Sequence, residues 1–436
     1  MKTLLGGFVV LVTLCWAQAR GANPTPAPYS LWVLREDALY LSGLLSIALM
    51  SLAMVLATRP APLEKAFNGM DKVYRTHKWA GILAVAFAAA HWLVEMSGDL
   101  IKALVGRSGR LPKEHLGGFL DILRDLAKDL GEWAIYAAIA MLAITLWKRF
   151  PFNVWRTLHR LMPIIYLTLA FHALALAPLA YWQEPVGILL AALLAAGTFA
   201  SIHVLAGRVG RSRRHAGHIA SLGTLSPDLT EVDCKLDSAW PAHRPGQFAF
   251  VTFSRGEGAH PFTIANAPHS DRTIKFEIKG LGDYTTDLAA KLRVGQPIEV
   301  EGPYGCFDIP RQSETFEQIW IAGGIGVTPF LAWLEALARQ PAKAPGAHLY
   351  YCIRDRDTDP FVHRLESACA DIPAIELSVI SSDRDPPLDA TRLAGHHKRS
   401  LEIWFCGPMG LIESLKTGLR SSGLRCRFHQ EAFELR

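Results

Sequence analysis

At 436 residues the chain has room for about three domains, and with half of its residues hydrophobic and 19% charged it is neither disordered nor fibrous. The formal net charge of +5 does not mark a nucleic-acid partner, because the basic residues lie in short loops between apolar runs rather than in one patch. Seven cysteines are scattered singly with no CxxC pair, which argues against zinc, iron–sulfur clusters and a secreted disulfide scaffold.

The opening segment, Met1-Lys2 followed by an apolar run to Trp16 and Ala17-Gln18-Ala19, fits a secretory signal or a first membrane span equally. Both readings put 20–37 outside. Stretches 38–58, 161–183 and 185–207 contain no Asp, Glu, Lys or Arg, and 79–94 and 133–147 are shorter runs of the same kind. They predict spans over about 38–58, 77–97, 131–147, 158–179 and 185–206. The expected inner loops, 59–78, 148–160 and 208–215, hold thirteen Lys and Arg in 41 positions; the outer segments hold eight in 60. That bias places everything after Arg208 in the cytoplasm. Within the long outer loop, 117–130 has helical apolar spacing and is expected to form an amphipathic helix on the outer surface.

Ionisable side chains in a bilayer are costly and usually functional. Here they come in pairs: His77 and His91 on one outward span, His159 and His172 on another. Each pair spans roughly 20 Å along the helix axis, so His77 lies level with His159 and His91 with His172. Two stacked cross-helix imidazole pairs suit two six-coordinate haems. The other reading is isolated polar residues bridging helices or reaching the interface, as expected of His203 and His115. Thirteen residues miss the same helical face by about 140°, so a distortion is predicted near Pro163, between His159 and His172.

Beyond about 219, short alternating strands over 247–253, 273–278 and 296–300 predict an antiparallel barrel. Three motifs accompany them: His260-Pro261-Phe262-Thr263, the loop Lys279-Gly280-Leu281-Gly282-Asp283-Tyr284-Thr285-Thr286, and Gly302-Pro303-Tyr304-Gly305. An apolar strand over 318–322 then enters Gly323-Gly324-Ile325-Gly326-Val327-Thr328-Pro329 and a helix, a turn that can cradle a pyrophosphate or simply join strand to helix. Further strands over 348–353 and 401–406 complete an alternating strand–helix pattern, hence a parallel nucleotide-binding sheet.

Together these residues resemble the NADPH oxidase/ferric reductase superfamily, over nearly the whole chain from about Leu39. The membrane landmarks are Met70-Asp71, His77-Lys78 and His91, then Trp155, His159 and His172. The resemblance implies a six-span, or five-span plus signal, α-helical membrane haem domain, then an antiparallel β-barrel FAD domain and an α/β parallel-sheet NAD(P) domain. The expected boundaries are 1–20 (signal or first span), 21–210, 216–312 and 315–436. It implies two b-type haems on His77, His91, His159 and His172. His260, Pro261, Phe262 and Thr263 would form the flavin motif, with Thr263 beside the reactive ring. Lys279 and Thr285 would hold the FAD pyrophosphate, and Gly323, Gly324, Gly326, Thr328 and Pro329 the pyridine nucleotide. Arg354, assisted by Arg392, would face the 2′-phosphate and tilt the donor from NADH towards NADPH. Cys406-Gly407-Pro408 would flank the nicotinamide, and Phe433, in Glu431-Ala432-Phe433, would cover the flavin.

The activity so implied moves electrons from cytoplasmic NAD(P)H through FAD and two haems to an outer acceptor. O2, giving superoxide, leads; a ferric chelate or a periplasmic partner protein is the alternative. Where eukaryotic oxidases often carry a further histidine, this chain has Glu95, a carboxylate that would favour a cationic acceptor. A reading of another class is a membrane receptor or transporter with a nucleotide-sensing cytoplasmic domain.

Overall fold

The computed structural model describes residues 2–24, 30–67, 69–107, 109–110, 116–147, 149–254, 258–396 and 400–430. The chain divides into two compact units, Met1–Phe67 with Lys72–Val209, and Gly210–Glu434.

Among the described residues of the first unit, six helical segments are long and apolar enough to cross a membrane. Helices Lys2–Ala22, Leu31–Ala57, Met70–Met96, Phe119–Leu146 and Pro185–Leu205 are single elements; Phe152–His159 and Met162–Leu176 form the sixth segment together. Leu5, Val12 and Ala19 are buried at seven-residue intervals in a core shared with Leu45, Ala48 and Val186. The first helix therefore packs as a member of the bundle.

Two local features decide where the histidines stand. Pro163 has no N–H to give to the carbonyl of His159. The helix stops at His159, turns through Arg160 and Leu161, and restarts at Met162, with Pro163 in the tolerated first turn. The predicted distortion is thus present, between the two histidines it must re-phase. The expected surface helix over 117–130 is not a separate element: Phe119–Leu146 runs unbroken for 28 residues. No proline interrupts it, and Gly131 is accommodated inside the helix, so the amphipathic turns are the N-terminal end of a long apolar helix.

The second unit begins with a six-stranded antiparallel sheet: β1 (Arg214–Ser226), β2 (Leu229–Leu236), β3 (Phe248–Thr252), β4 (His260–Thr263), β5 (Thr273–Lys279) and β6 (Pro297–Tyr304). Their order is β4-β3-β6-β1-β2-β5, and a bridge between Ile264 and Phe276 joins the two edges, closing a barrel. Inward residues, among them Ile219, Val232, Val251, Phe276 and Val300, fill it. β1 starts five residues before the expected 219, because Arg214–His218 has no apolar alternation of its own and is ordered by pairing with β6.

A five-stranded parallel sheet follows: β7 (Phe316–Gly323), β8 (Ala347–Ile353), β9 (Ile375–Ser381), β10 (Ser400–Cys406) and β11 (Cys426–Gln430), in the order β11-β10-β7-β8-β9. The strand order reverses between β7 and β10, which makes the crevice at their carboxyl ends the ligand position of a doubly wound sheet. The sequence reading missed β9 and β11. The sheet is buried by helix Thr328–Ala338 on one side and Met409–Ser421 on the other.

Candidate functional site

In the membrane unit the two expected imidazole pairs form. The rings of His77 and His159 have centroids 6.2 Å apart and planes at 82°. Those of His91 and His172 are 6.1 Å apart at 86°. Backbone carbonyls aim three of the four rings: Nδ1 of His77 lies 2.9 Å from Ala53 O, that of His91 2.9 Å from Leu39 O, and that of His172 2.8 Å from Ala127 O. A carbonyl can only accept, so each of these Nδ1 atoms carries the proton and each Nε2 keeps its lone pair for another partner. Trp155 stacks on His159 with centroids 5.2 Å apart and is itself tied to Thr145 by its indole N–H.

Near the His91–His172 pair, Arg35 donates to the carbonyls of Val94 and Glu95 and to the Glu95 carboxylate, at 3.1, 2.8 and 2.6 Å. Lys128 holds the other carboxylate oxygen at 3.1 Å. Glu95 is therefore shared by two cations. Arg35 had no motif to announce it. His203 lies near the end of the last span, with Phe199 beside it at a 6.0 Å centroid distance. His115 lies outside the described residues.

On the barrel, β4 pairs with β3 so that Thr263 faces Phe248 and Pro261 faces Phe250. Side chains alternate across a strand, which divides the motif. Phe262 points inward against Phe253 and Phe276, while Pro261 and Thr263 share the opposite face with Phe248, Phe250 and Tyr304. His260 stacks on Tyr284 at 3.8 Å between centroids. Lys279 ends β5 with its ammonium 3.4 Å from Asp228. The Thr285 hydroxyl oxygen accepts from the N–H groups of Leu281 and Gly282 at 3.0 and 3.2 Å and so folds its own loop.

The crevice of the parallel sheet is made by two turns that touch. Gly323 and Gly326 leave β7, and Cys406-Gly407-Pro408 leaves β10, with Cys406 paired to Ala322. A β-carbon on Gly323 would lie 2.6 Å from Pro408 Cδ, and one on Gly326 2.6 Å from the Cys406 carbonyl carbon. These glycines are required by each other's turns before any ligand arrives. Gly324, at φ +53°, faces open space. The Thr328 hydroxyl donates to Ile325 O at 2.7 Å, and Pro329 occupies the first helical turn. Cys406 is buried.

Arg354 follows β8 and is exposed, its carbonyl bound by the hydroxyls of Ser381 and Ser382. The neighbouring Asp355 uses both oxygens on its own loop, accepting from Asp357 N–H and the Thr358 hydroxyl at 2.9 Å each. Arg392 is half-buried within electrostatic reach of Cys352, two residues before Arg354; burial pushes that thiol up to about 12. Phe433, with Glu431 and Ala432, lies outside the described residues.

Residues 42–170 match the family described as ferric reductase like transmembrane component, and 215–308 match an FAD-binding domain. The chain is similar to the anthranilate 1,2-dioxygenase electron transfer component of Acinetobacter baylyi (strain ATCC 33305 / BD413 / ADP1), 27% identical over 43% of this chain and 57% of that one. It is also similar to the phenol hydroxylase P5 protein of Acinetobacter pittii (strain PHEA-2), 31% identical over 49% and 64%. Thus it spans less than two thirds of the length of these relatives. Among solved structures, the cytochrome b5 reductase domain of Ulva prolifera nitrate reductase aligns with 50% of this chain and 98% of its own, at 19% identity and TM-score 0.43.

A six-helix membrane unit followed by an FAD-binding barrel and a parallel NAD(P)-type sheet defines an integral membrane flavin oxidoreductase. The chain belongs to the NADPH oxidase/ferric reductase superfamily.

Proposed function

We propose that the protein carries electrons from cytoplasmic NADPH through FAD and two b-type haems to O2 on the outer side, giving superoxide. The observation that carries this reading is the spacing of the imidazole pairs. Two imidazoles on opposite sides of one metal, each with a metal–nitrogen bond of about 2 Å, hold their centroids roughly 6 Å apart, against the 6.2 and 6.1 Å found. The Nε2 atoms are the ones presented, so the donor set fits a bis-histidine haem at each level.

When bound, the flavin divides a hydride's two electrons into single ones and the haems supply one-electron carriage across the bilayer. The chain's own residues do the rest. His77 with His159, and His91 with His172, hold the two groups; Thr263 and Pro261 present a polar edge and a flat apolar surface beside Phe248 and Tyr304 for the flavin ring. Lys279 supplies positive charge for the pyrophosphate, with Thr285 ordering the adjacent loop. Gly323, Gly324 and Gly326 leave backbone room for the nucleotide at the start of helix Thr328–Ala338. Cys406, Gly407 and Pro408 form the opposite wall. Exposed Arg354, with the Asp355 carboxylate engaged on its own loop, supports NADPH over NADH, and Arg392 would assist it. Phe433 retains its proposed role over the flavin from the resemblance alone.

The positive-inside bias of the loops supports a cytoplasmic flavin and nucleotide domain. The double pairing of Glu95 offsets its negative charge and so supports O2 over a cationic acceptor such as a ferric chelate; a partner protein is the remaining alternative. The test is the purified chain with NADPH. Reduction of cytochrome c that superoxide dismutase abolishes is expected; dismutase-insensitive reduction of ferric chelates in its place overturns the acceptor. A spectrum without a Soret band from cells supplied with haem overturns the whole electron path and returns the receptor or transporter reading.

A further inference from the structure

The outer imidazole pair is held by a device that the inner pair lacks. His91 donates from Nδ1 to Leu39 O, and His172 donates from Nδ1 to Ala127 O. In each case the residue four positions after the accepting carbonyl is a glycine: Gly43 in helix Leu31–Ala57, and Gly131 in helix Phe119–Leu146. In an α-helix the carbonyl of residue i points at the N–H of residue i+4. Side chains lean towards the helix N-terminus, so the side chain at i+4 flanks that carbonyl and blocks sideways approach. Both glycines remove the obstruction. A β-carbon on Gly43 would lie 2.9 Å from His91 Nδ1 and 3.0 Å from its Cε1. One on Gly131 would overlap His172 Nδ1 and lie 2.6 Å from Cε1 and 2.8 Å from Cγ.

At the inner level the pattern is absent. His77 donates to Ala53 O, and the residue four further on is Ala57. Nδ1 of His159 is buried without a hydrogen-bond partner among the described residues. The same relation thus occurs on two separate helices for the two rings that face each other, and at neither ring of the other level.

We propose that Gly43 and Gly131 are positioning residues: paired notches that let the outer imidazoles sink onto a helix carbonyl, fixing which ring nitrogen bears the proton and how far each Nε2 reaches towards the other. The proposal rests on the reading that this pair holds a haem. It makes the two levels unequal by construction, since a carbonyl partner on each outer Nδ1 strengthens both ligands, whereas His159 has none.

The experiment uses the full chain purified with haem and FAD, read by redox titration of the visible spectrum and by electron paramagnetic resonance of the oxidised state. The wild type is expected to show two low-spin components with different midpoint potentials. Gly131→Ala should convert one component to high spin or remove it and leave the other unmoved. Gly43→Ala, with its smaller overlap, should shift the midpoint of that same component. Gly81→Ala, on helix Met70–Met96 with nothing within 4 Å of the added carbon, should change neither. The proposal is overturned if Gly131→Ala keeps both components low-spin at wild-type potentials. If that variant loses FAD and all pigment through misfolding, Gly43→Ala decides: unchanged spectra and potentials overturn the notch, and a shift of one component upholds it. A wild type without pigment ends the haem reading, and this proposal with it.

Discussion

Glu277 shows what one buried carboxyl does to the soluble unit. It sits in β5 with no side-chain exposure, and Arg364 from helix Val362–Ala370 approaches to 2.5 Å. Burial raises its carboxyl above the ordinary range, and Arg364 offsets only part of that. The folded chain therefore holds this proton more tightly than the unfolded one. Its contribution to stability is complete below the unfolded carboxyl value of about 4.3 and is lost as pH rises through the higher folded value. Thermal unfolding of the full chain in detergent, followed from pH 4 to 8 by flavin release, should show this loss, and Glu277→Gln should flatten it. At the proposed nucleotide site, Arg354→Ala would remove a charged hydrogen-bond donor worth about 1.5–3 kcal/mol. We expect KM for NADPH to rise roughly tenfold or more while that for NADH stays put; equal rises for both would assign the arginine to another part of the nucleotide.

At the scale of elements, the break after His159 is the feature with most leverage. Pro163→Ala restores the missing N–H and lets the helix run on through Arg160 and Leu161. That rotates His159 away from His172 by the about 140° that thirteen residues impose. The expected result is loss of the inner pigment component alone, seen in the reduced-minus-oxidised spectrum; retention of both components would place the phase correction elsewhere. The ionic clamp belongs at this scale too. Arg35 caps the carboxyl end of helix Met70–Met96 and, through Glu95 and Lys128, ties it to Leu31–Ala57 and Phe119–Leu146. Because the carboxylate is partly exposed, Glu95→Gln should cost only about 1 kcal/mol, measured as a small fall in the temperature at which pigment is released.

Across the whole molecule, the proposed outward path would make each electron's movement worth roughly 2.3 kcal/mol per 100 mV. In vesicles with the flavin unit inside, turnover should depolarise the membrane, and an inside-negative potential should speed it. Insensitivity to potential would mean that electrons do not cross. How far this architecture was legible follows from which forces act locally. Charge-free runs revealed the spans, since no lipid-exposed alternative exists for them, and the histidine spacing revealed the pairs. Strand β7 and its glycine turn were equally plain. What escaped was set by partners distant in sequence. Gly43 and Gly131 belong to no motif, and their role shows only once the rings of His91 and His172 are placed opposite. Arg35 read as a loop cation. The short strand β11 has no pattern of its own and is defined by pairing with β10. The division of His260–Thr263 between two faces required the register with β3.

Trp333 has a last consequence. It stands on the helix that leaves the glycine turn, fully buried, yet its indole N–H meets the carbonyls of Pro245 and Phe307 at 3.2 Å, on the barrel side. Glu335 takes the Ala267 N–H, and Arg339 donates to Pro268 O, at 3.0 and 2.8 Å. With Phe307 stacked on Trp333 at 4.9 Å, the seam between barrel and parallel sheet is a solid aromatic weld rather than a hinge. Coenzyme traffic must then proceed past a stationary wall, so amide exchange along Thr328–Ala338 should stay slow whether or not NADPH is bound.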